Sequence, residues 1–149
     1  MNIDNGTVVM VVDGAKLLLF RNDGDAKYPV LTTLTHEEIA NPPSSGLGTD
    51  TPGRTQGSMG DGRSSSYGET DWHQQSEDRF ARHAADVLEQ AASAQREAGI
   101  VVIAAPRTLG ELRKHYGRET GQRMLAEISK DLAGHMTDDI VDVIAAHGA

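Results

Sequence analysis

The chain has 149 residues, a length that fits one domain able to bury about two thirds of its unfolded surface. Its formal net charge of −8 argues against a general binder of nucleic acid or anionic membranes, although a local basic site stays compatible with it. Cysteine is absent, which excludes disulfides, a thiol nucleophile and thiolate metal ligands. The first residues lack a secretory signal pattern, and no stretch reaches the ~20 apolar residues of a membrane span, so we expect a cytoplasmic protein with no membrane partner.

The N-terminal part of the chain reads as a three-stranded meander. Residues 7–12 are β-branched and apolar, which is typical of a buried strand. Asp13 and Gly14 predict a turn into a second strand at 16–21, and residues 21–25 predict the next turn. The third strand is predicted at 28–34, at an edge of the sheet, because Pro29 cannot donate a ladder hydrogen bond.

A long glycine-rich loop is predicted next, at residues 41–70. It contains seven Gly, six Ser and three Pro, so it buries too little apolar surface to offset its ordering entropy. We expect it to be mobile in the free protein. A loop of this length in a compact domain is either functional or a disordered insertion.

The main helix is predicted from Asp71 to Ala98. Asp71 with Gln74 resembles a capping box at its start, and Gly99 is predicted as the C′ residue that closes it. One arc of the helical wheel is apolar and the opposite arc is charged or polar. The apolar arc consists of Phe80, Ala84, Val87, Leu88, Ala91 and Ala98.

Alternating strands and helices complete the prediction. Residues 100–104 are continuously apolar and predict a buried strand, and Thr108 with Glu111 predicts a capping box that opens a short helix to Tyr116, stopped by Gly117. Residues 121–132 fit either a strand or a helix, and we choose a strand at 124–129. A terminal helix is predicted from Thr137, with Asp138 and Asp139 at its positive end. Its predicted buried face comprises Ile140, Val141 and Ile144.

The predicted order is therefore β-β-β-loop-α-β-α-β-α. A meander followed by alternating strands and helices predicts an α/β protein with three layers, a mixed five-stranded sheet with helices on its faces. The arrangement resembles ribonuclease-H-like folds. We predict a single domain over residues 1–149, with the flexible loop at 41–70.

Three stretches together resemble the bacterial host attachment protein family. They are Val11-Val12-Asp13-Gly14-Ala15-Lys16-Leu17-Leu18-Leu19-Phe20; Gly53-Arg54-Thr55 with Gly60-Asp61-Gly62-Arg63, leading to Glu77-Asp78-Arg79-Phe80-Ala81; and Ala105-Pro106-Arg107-Thr108-Leu109-Gly110-Glu111-Leu112-Arg113-Lys114, continued by Glu127-Ile128-Ser129-Lys130-Asp131-Leu132. Together they span nearly the whole chain in the right order. The family fold is similar to the middle domain of class 1 release factors of archaea and eukaryotes, which implies the same fold here.

The resemblance also implies where a catalytic loop would lie. In those release factors a Gly-Gly-Gln loop that enters the long helix promotes peptidyl-tRNA hydrolysis. The loop at 41–70 occupies the corresponding position, and Gln56 is its candidate catalytic residue, although Gly53-Arg54-Thr55-Gln56-Gly57 contains no Gly-Gly-Gln. The alternative is that Gln56 is an ordinary polar loop residue.

Four arginines are candidates for binding an anion: Arg54, Arg63, Arg79 and Arg107. Two lie in the predicted loop, Arg79 in the first turns of the main helix, and Arg107 after the carboxyl end of a strand, where open α/β sheets bind ligands. Guanidinium groups suit phosphate or RNA backbone. Glycine-rich backbone at Gly53, Gly60 and Gly62 would add N–H donors. The alternative is four solvated surface arginines.

Other chemistries find less support in the sequence. Asp13 lacks acidic partners on neighbouring strands for a two-metal nuclease, and His73 with Glu77 lacks a third zinc ligand. We therefore predict no metal and no cofactor. Trp72 at the helix start is expected to pack on the sheet rather than to stack on a base.

Three functions remain open. The first is a module that binds RNA or the ribosome through the loop. The second is an enzyme that hydrolyses peptidyl-tRNA with Gln56. The third is a protein-interaction module whose loop folds on a partner. Salt dependence distinguishes the first from the third, because phosphate contacts weaken steeply with salt.

Overall fold

The fold was described from a computed structural model, which defines the backbone at residues 1–39 and 62–148 and the side chains at 1–39 and 74–148. This part of the chain contains five strands and four helices. The strands are β1 (Val8–Val12), β2 (Lys16–Asn22), β3 (Leu31–Glu38), β4 (Ile100–Ala104) and β5 (Met124–Ser129). The helices are α1 (Gly62–Ala94), α2 (Pro106–Arg113), α3 (Arg118–Arg123) and α4 (Thr137–Ala146).

The strands form one mixed sheet in the order β3-β2-β1-β4-β5. β1, β2 and β3 pair antiparallel as a meander, while β4 pairs parallel with β1, and β5 parallel with β4. The central strands β1 and β4 are buried along their whole length, as expected for strands covered on both faces. The predicted fold class, with its meander and its two parallel strands, is confirmed.

Both faces of the sheet are covered, which gives three layers. Alternate side chains of β1 point to opposite faces, so Met10 packs under α1 and Val11 packs under α4. The apolar residues between the sheet and α1 form one cluster, which we call the α1-face cluster. Besides Met10 it contains Leu88 of α1 and Leu112 of α2. The α4-face cluster consists of Ile3, Val9, Val11, Phe20, Val101, Ile103, Ile128, Leu132, Ala133, Ile140 and Ile144.

The third strand lies three residues later than predicted. It is an edge strand, as Pro29 indicated, but it begins at Leu31 because residues 25–28 form an Asx turn. The Asp25 carboxylate accepts the N–H groups of Lys27 and Tyr28 at 3.0 and 2.7 Å. A register shift opposite Leu19 and Phe20 then lets the strand continue to Glu38.

The main helix has different ends from those predicted. It begins at Gly62, nine residues before Asp71, so the predicted capping pair of Asp71 and Gln74 is wrong, and residues 62–70 of the predicted loop are helical. Residues 40–61 of that loop lie outside the described part. The helix ends at Ala94 rather than Ala98, and Glu97 adopts a left-handed φ of 69° before β4.

The role predicted for Gly99 is therefore also wrong. It directly precedes β4, where a Cβ would meet the side chain of Leu125. Close packing between neighbouring chain segments, rather than a helix end, explains a glycine at this position.

The short helices differ from the prediction as well. α2 begins at Pro106 with Ala105 as N-cap and no side-chain cap, so the capping box predicted from Thr108 and Glu111 is wrong. Gly117 is the N-cap of α3, a helix that the sequence did not predict. The strand chosen at 124–129 is confirmed as β5. α4 begins at Thr137 as predicted.

The buried face of α4 also differs in one residue. Ile140 and Ile144 are buried as predicted, but Val141 is only half-buried, and Val143 packs against the α4-face cluster in its place.

Candidate functional site

The candidate site lies at the edge of the sheet where β1, β4 and β5 end. Since these three strands are parallel, their carboxyl ends meet there, and β3 ends at the same edge because it pairs antiparallel with β2. α1 approaches this edge from the outside, because the side chain of Glu77 lies directly over Gly14 in the β1–β2 turn. The described chain thus leaves this edge at Ile39, and α1 returns to it. We call this region the carboxyl edge.

The β1–β2 turn at this edge is held by Asp13. Its Oδ1 accepts the N–H groups of Ala15 at 2.8 Å and Lys16 at 2.7 Å, and its own N–H donates to the Lys16 carbonyl. This carboxylate oxygen therefore stabilises the turn. Among the side chains of 1–39 and 74–148, no group of three His, Asp or Glu residues is placed to hold a metal ion.

Gly14 permits the close approach of α1 to the turn. A Cβ at this position would fall 2.8 Å from Cδ and 2.9 Å from Oε2 of Glu77. One helical turn and a half further along α1, the His83 Nε2 lies 2.6 Å from Glu37 Oε1 of β3. The two contacts fix α1 to the β1–β2 turn and to β3.

The candidate arginines are distributed along two helices. Arg107 is exposed in the first turn of α2. It follows the carboxyl end of β4, as predicted. Arg79 is exposed on α1, but it lies 17 residues after Gly62 and therefore not in the first turns, which corrects the prediction. Within the described part of the chain neither side chain forms an ion pair or a hydrogen bond.

Helix α1 separates two of these arginines. Arg63 belongs to the first turn of α1 and not to the loop, and its side chain lies outside the described residues. Along a helix axis, 16 residues span about 24 Å. A single phosphate cannot reach both Arg63 and Arg79, whereas an extended polyanion can.

The remaining predicted site residues lie outside the described part of the chain. They are Gly53, Arg54, Gln56 and Gly60. Gly62 is the first residue of α1, where only its backbone is described. Their roles stay predictions.

A shallow groove opens on the α4 side of the same edge. It has a volume of about 480 Å³, and Lys16, His36, His135 and Thr137 line it around an apolar floor that includes Leu18. Acidic residues also lie here: Glu38 stands opposite Lys16 in the register of β2 and β3, and Asp139 Oδ2 lies 3.3 Å from His135 Nδ1. The groove therefore lacks a clear preference for an anion or a cation.

Two polar clusters that the sequence did not indicate anchor α2 and α3. The Tyr116 hydroxyl donates to Glu127 Oε2 of β5 at 2.6 Å, and Arg113 contacts Glu127 Oε1 at 2.9 Å. Burial and the Glu127 carboxylate raise the pKa of Tyr116, so it is neutral in the folded protein. Burial alone would raise the pKa of Glu127, but Arg113 and Tyr116 lower it overall.

The second cluster joins α1 to α3. Glu89 of α1 accepts the N–H groups of Glu119 and Thr120 at 3.1 and 2.9 Å and therefore caps α3. Burial acts to raise the pKa of Glu89, but these donors, the Thr120 hydroxyl and Arg123 outweigh it and lower the pKa. In return Arg123 donates to the carbonyl of Ala92 in the last turn of α1 and to those of Gln95 and Ala98 just after the helix. No pattern in the local sequence would reveal these contacts, because the partners are 25 to 31 residues apart.

Comparison with known proteins identifies the chain's relatives. The family model described as "Bacterial archaeo-eukaryotic release factor family 12" matches residues 6–144, which is nearly the whole chain. A comparison of the chain with curated proteins found no match.

Proposed function

The chain belongs to bacterial archaeo-eukaryotic release factor family 12, and we propose that it binds RNA, the ribosome in particular, through the segment that leads into α1. The binding residues of this proposal are Gly53, Arg54, Gly60, Gly62, Arg63, Arg79 and Arg107. Family membership is the observation that carries the proposal, since release factors act on ribosome-bound peptidyl-tRNA. Ribosome binding also requires a cytoplasmic location. No helix among the described residues is long and apolar enough to cross a membrane.

The geometry of the carboxyl edge supports this proposal in two ways. The segment carrying Arg54 enters α1, the helix that Glu77 and His83 fix to the sheet. Arg107 is exposed at the same edge. Because Arg63 and Arg79 are about 24 Å apart along the helix, the proposed ligand is an extended polyanion rather than a single phosphate.

The test is co-sedimentation with ribosomes over a range of salt concentrations. We expect wild type to sediment with ribosomes at low salt and to be released as salt rises, because each phosphate contact contributes to the salt dependence. An Arg54→Ala/Arg63→Ala variant should be released at lower salt. Lys27→Ala/Arg96→Ala removes the same charge from exposed positions at the opposite edge and is the control. Equal release of both variants and wild type would contradict the proposal.

A second candidate function is peptidyl-tRNA hydrolysis with Gln56 orienting the water. Membership of a release factor family favours it, and the absence of a Gly-Gly-Gln triplet counts against it. Release of labelled peptide from programmed ribosomes is the measurement. Under this hypothesis wild type accelerates release and Gln56→Ala does not. Equal background release from both proteins would exclude it.

A third candidate is a protein-interaction module, which the resemblance to host attachment proteins leaves open. In that case binding to a ribosomal or host protein would change little with salt, since apolar contacts do not release counterions. The same sedimentation series therefore distinguishes it from RNA binding.

A further inference from the structure

Helix α2 and the residues that follow it, up to the start of α3, carry a basic surface in an acidic protein. Residues 106–118 contain four cationic side chains and one acidic side chain, Glu111, whereas the whole chain has a formal net charge of −8. The four cations, Arg107, Arg113, Lys114 and Arg118, are all exposed. We call these four residues the α2 surface. Only Arg107 belongs to the proposed site at the carboxyl edge.

Part of this positive charge is uncompensated. Arg113 is paired with Glu127 at 2.9 Å, and Lys114 with Glu111 at 3.1 Å. Arg107 and Arg118 form no ion pair with any residue whose side chain is described. Glu111 and Glu127 thus neutralise two cations, and two guanidinium groups remain available to a ligand.

The cations lie on a rigid and open support. Lys114 is the C-cap of α2 and has helical backbone angles, and it follows Arg107 by seven residues, so the two lie on one side of the helix about 10 Å apart along its axis. Gly110 lies between them, and no atom is within 4 Å of the position that a Cβ would occupy there. Leu109 and Leu112 bury the other side of α2 in the α1-face cluster. The backbone that carries these side chains therefore loses little conformational entropy on binding.

We propose that the α2 surface contacts the phosphate backbone of an RNA strand. Four exposed cations within residues 106–118 match a ligand whose negative charges repeat along a chain, and guanidinium groups bind phosphate oxygens in pairs. The net charge of −8 repels polyanions at long range, so contact depends on a local positive surface. This proposal rests on the proposed function and extends it from the carboxyl edge to the outer side of α2.

The test uses residues that the proposed function does not include. Lys114→Gln/Arg118→Gln removes two cations from the α2 surface, and Lys27→Gln/Arg96→Gln removes two exposed cations elsewhere. Binding of a labelled single-stranded RNA is measured by fluorescence anisotropy between about 50 and 200 mM salt. We expect the plot of log K against log[salt] to become shallower by about 0.7 for the α2 variant, which is the contribution of the one phosphate assigned to Arg118, because Lys114 is already paired with Glu111. The control should keep the slope of wild type.

A second variant should strengthen RNA binding instead of weakening it, so its effect cannot come from a loss of folding. Glu111→Gln removes the acidic side chain that pairs with Lys114, and we expect it to strengthen RNA binding at every salt concentration. A slope for Lys114→Gln/Arg118→Gln equal to that of the control overturns the proposal, as does weaker or unchanged binding by Glu111→Gln.

Two further measurements separate this proposal from the proposed function. Binding of polyglutamate in place of RNA overturns it in favour of an acidic protein partner. If wild type sediments with ribosomes but binds no free RNA, the α2 proposal fails and the proposed function stands. If RNA binding depends on the α2 surface while ribosomes do not bind, the α2 proposal stands and ribosome binding fails.

Discussion

A single buried amide organises one end of the sheet. Asn22 is fully buried at the end of β2, where its Nδ2 donates to the carbonyls of Ile3 and Asp4 at 3.0 and 3.2 Å. Its Oδ1 accepts the N–H groups of Gly24 and Val30, both at 2.9 Å. The side chain therefore joins the N-terminal segment to the β2–β3 turn. The sequence placed Asn22 in a turn but gave no sign of its burial.

Replacing this residue should destabilise the protein strongly. Asn22→Ala leaves two part-buried N–H groups, one part-buried carbonyl and the buried Ile3 carbonyl without their partner, and an unsatisfied buried group costs about 1–3 kcal/mol. We expect a loss of about 3 kcal/mol in the free energy of unfolding, measured by urea denaturation. Asn5→Ala is the matched control, because Asn5 donates one exposed hydrogen bond to the Gly24 carbonyl. A similar loss for both variants would contradict the prediction.

Glycine at position 117 makes room for the carboxylate that caps α3. A Cβ there would collide with the side chain of Glu89, although the backbone conformation, with φ of −82°, is open to any residue. We expect Glu89→Ala to cost about 1–2 kcal/mol, as loss of a helix cap does, and Gly117→Ala to cost a similar amount by displacing the same carboxylate. Denaturation of the two single variants and the double variant measures their coupling.

The coupling distinguishes this mechanism from two unrelated defects. In the Glu89→Ala background the Gly117→Ala change should cost almost nothing, because the cap is already lost, so the coupling energy should have a magnitude of about 1–2 kcal/mol. Gly121→Ala in the same helix is the control, since no atom lies within 4 Å of its Cβ position. It should stabilise the protein by up to about 1 kcal/mol. Additive effects of Glu89→Ala and Gly117→Ala would contradict the prediction.

At the scale of elements, Arg123 completes the end of the longest helix. Its guanidinium donates to the Gln95 and Ala98 carbonyls at 2.8 and 3.2 Å, and also to the Ala92 carbonyl. Carbonyls at a helix C-terminus have no partner within the helix and favour a positive charge. α3 therefore stabilises the end of α1 while α1 caps the start of α3.

Loss of this arginine should loosen both helices together. We expect Arg123→Met to increase amide hydrogen exchange at the end of α1 and throughout α3, while β1 and β4 stay protected. Arg123→Lys should restore little, because one ammonium cannot reproduce a planar fork of donors. Arg118→Met removes an exposed cation from the same helix and should leave exchange unchanged. If amide hydrogen exchange rises in α3 but not at the end of α1, Arg123 does not stabilise both helices and the prediction is wrong.

These contacts explain which elements the sequence could predict. β4 and the meander carry their signal in their own residues, since apolar β-branched runs bounded by turns are diagnostic over a few positions. α3 has six residues, one of them Gly121, and its cap comes from Glu89 on another helix, so its local sequence contains no helix signal. The start of α1 was missed because residues 62–70 are rich in glycine and serine, which form helices poorly.

The sequence could predict where the candidate site lies but not which side chains are available in it. The order of strands placed Arg107 at the carboxyl edge correctly, because that position follows from topology alone. The basic character of α2 was present in the sequence at residues 106–118, but its significance depends on which of these side chains are exposed and which are paired. Distances between arginines could not be predicted while the start of α1 was uncertain.

For the molecule as a whole, the two carboxylates that connect its elements contribute to its behaviour in acid. Glu89 joins α1 to α3 and Glu127 joins α2 to β5, and both have a pKa below the ordinary value of about 4.5 because hydrogen-bond donors and an arginine favour their charged forms over the effect of burial. A carboxylate whose pKa is lowered in the folded state stabilises that state above its unfolded pKa. This stabilisation decreases as pH falls through the folded pKa.

We therefore expect the free energy of unfolding to fall steeply below about pH 4.5, and Glu89→Gln/Glu127→Gln to flatten that decrease. The variant should be less stable than wild type at pH 7 and should approach it in acid, because protonation then removes the same charges from wild type. Urea denaturation from pH 7 to the onset of acid unfolding measures both curves. Glu38→Gln/Asp142→Asn removes two exposed carboxylates and should follow wild type throughout. Parallel curves for Glu89→Gln/Glu127→Gln and wild type would show that other groups control acid unfolding, because the double variant cannot bind the two protons responsible.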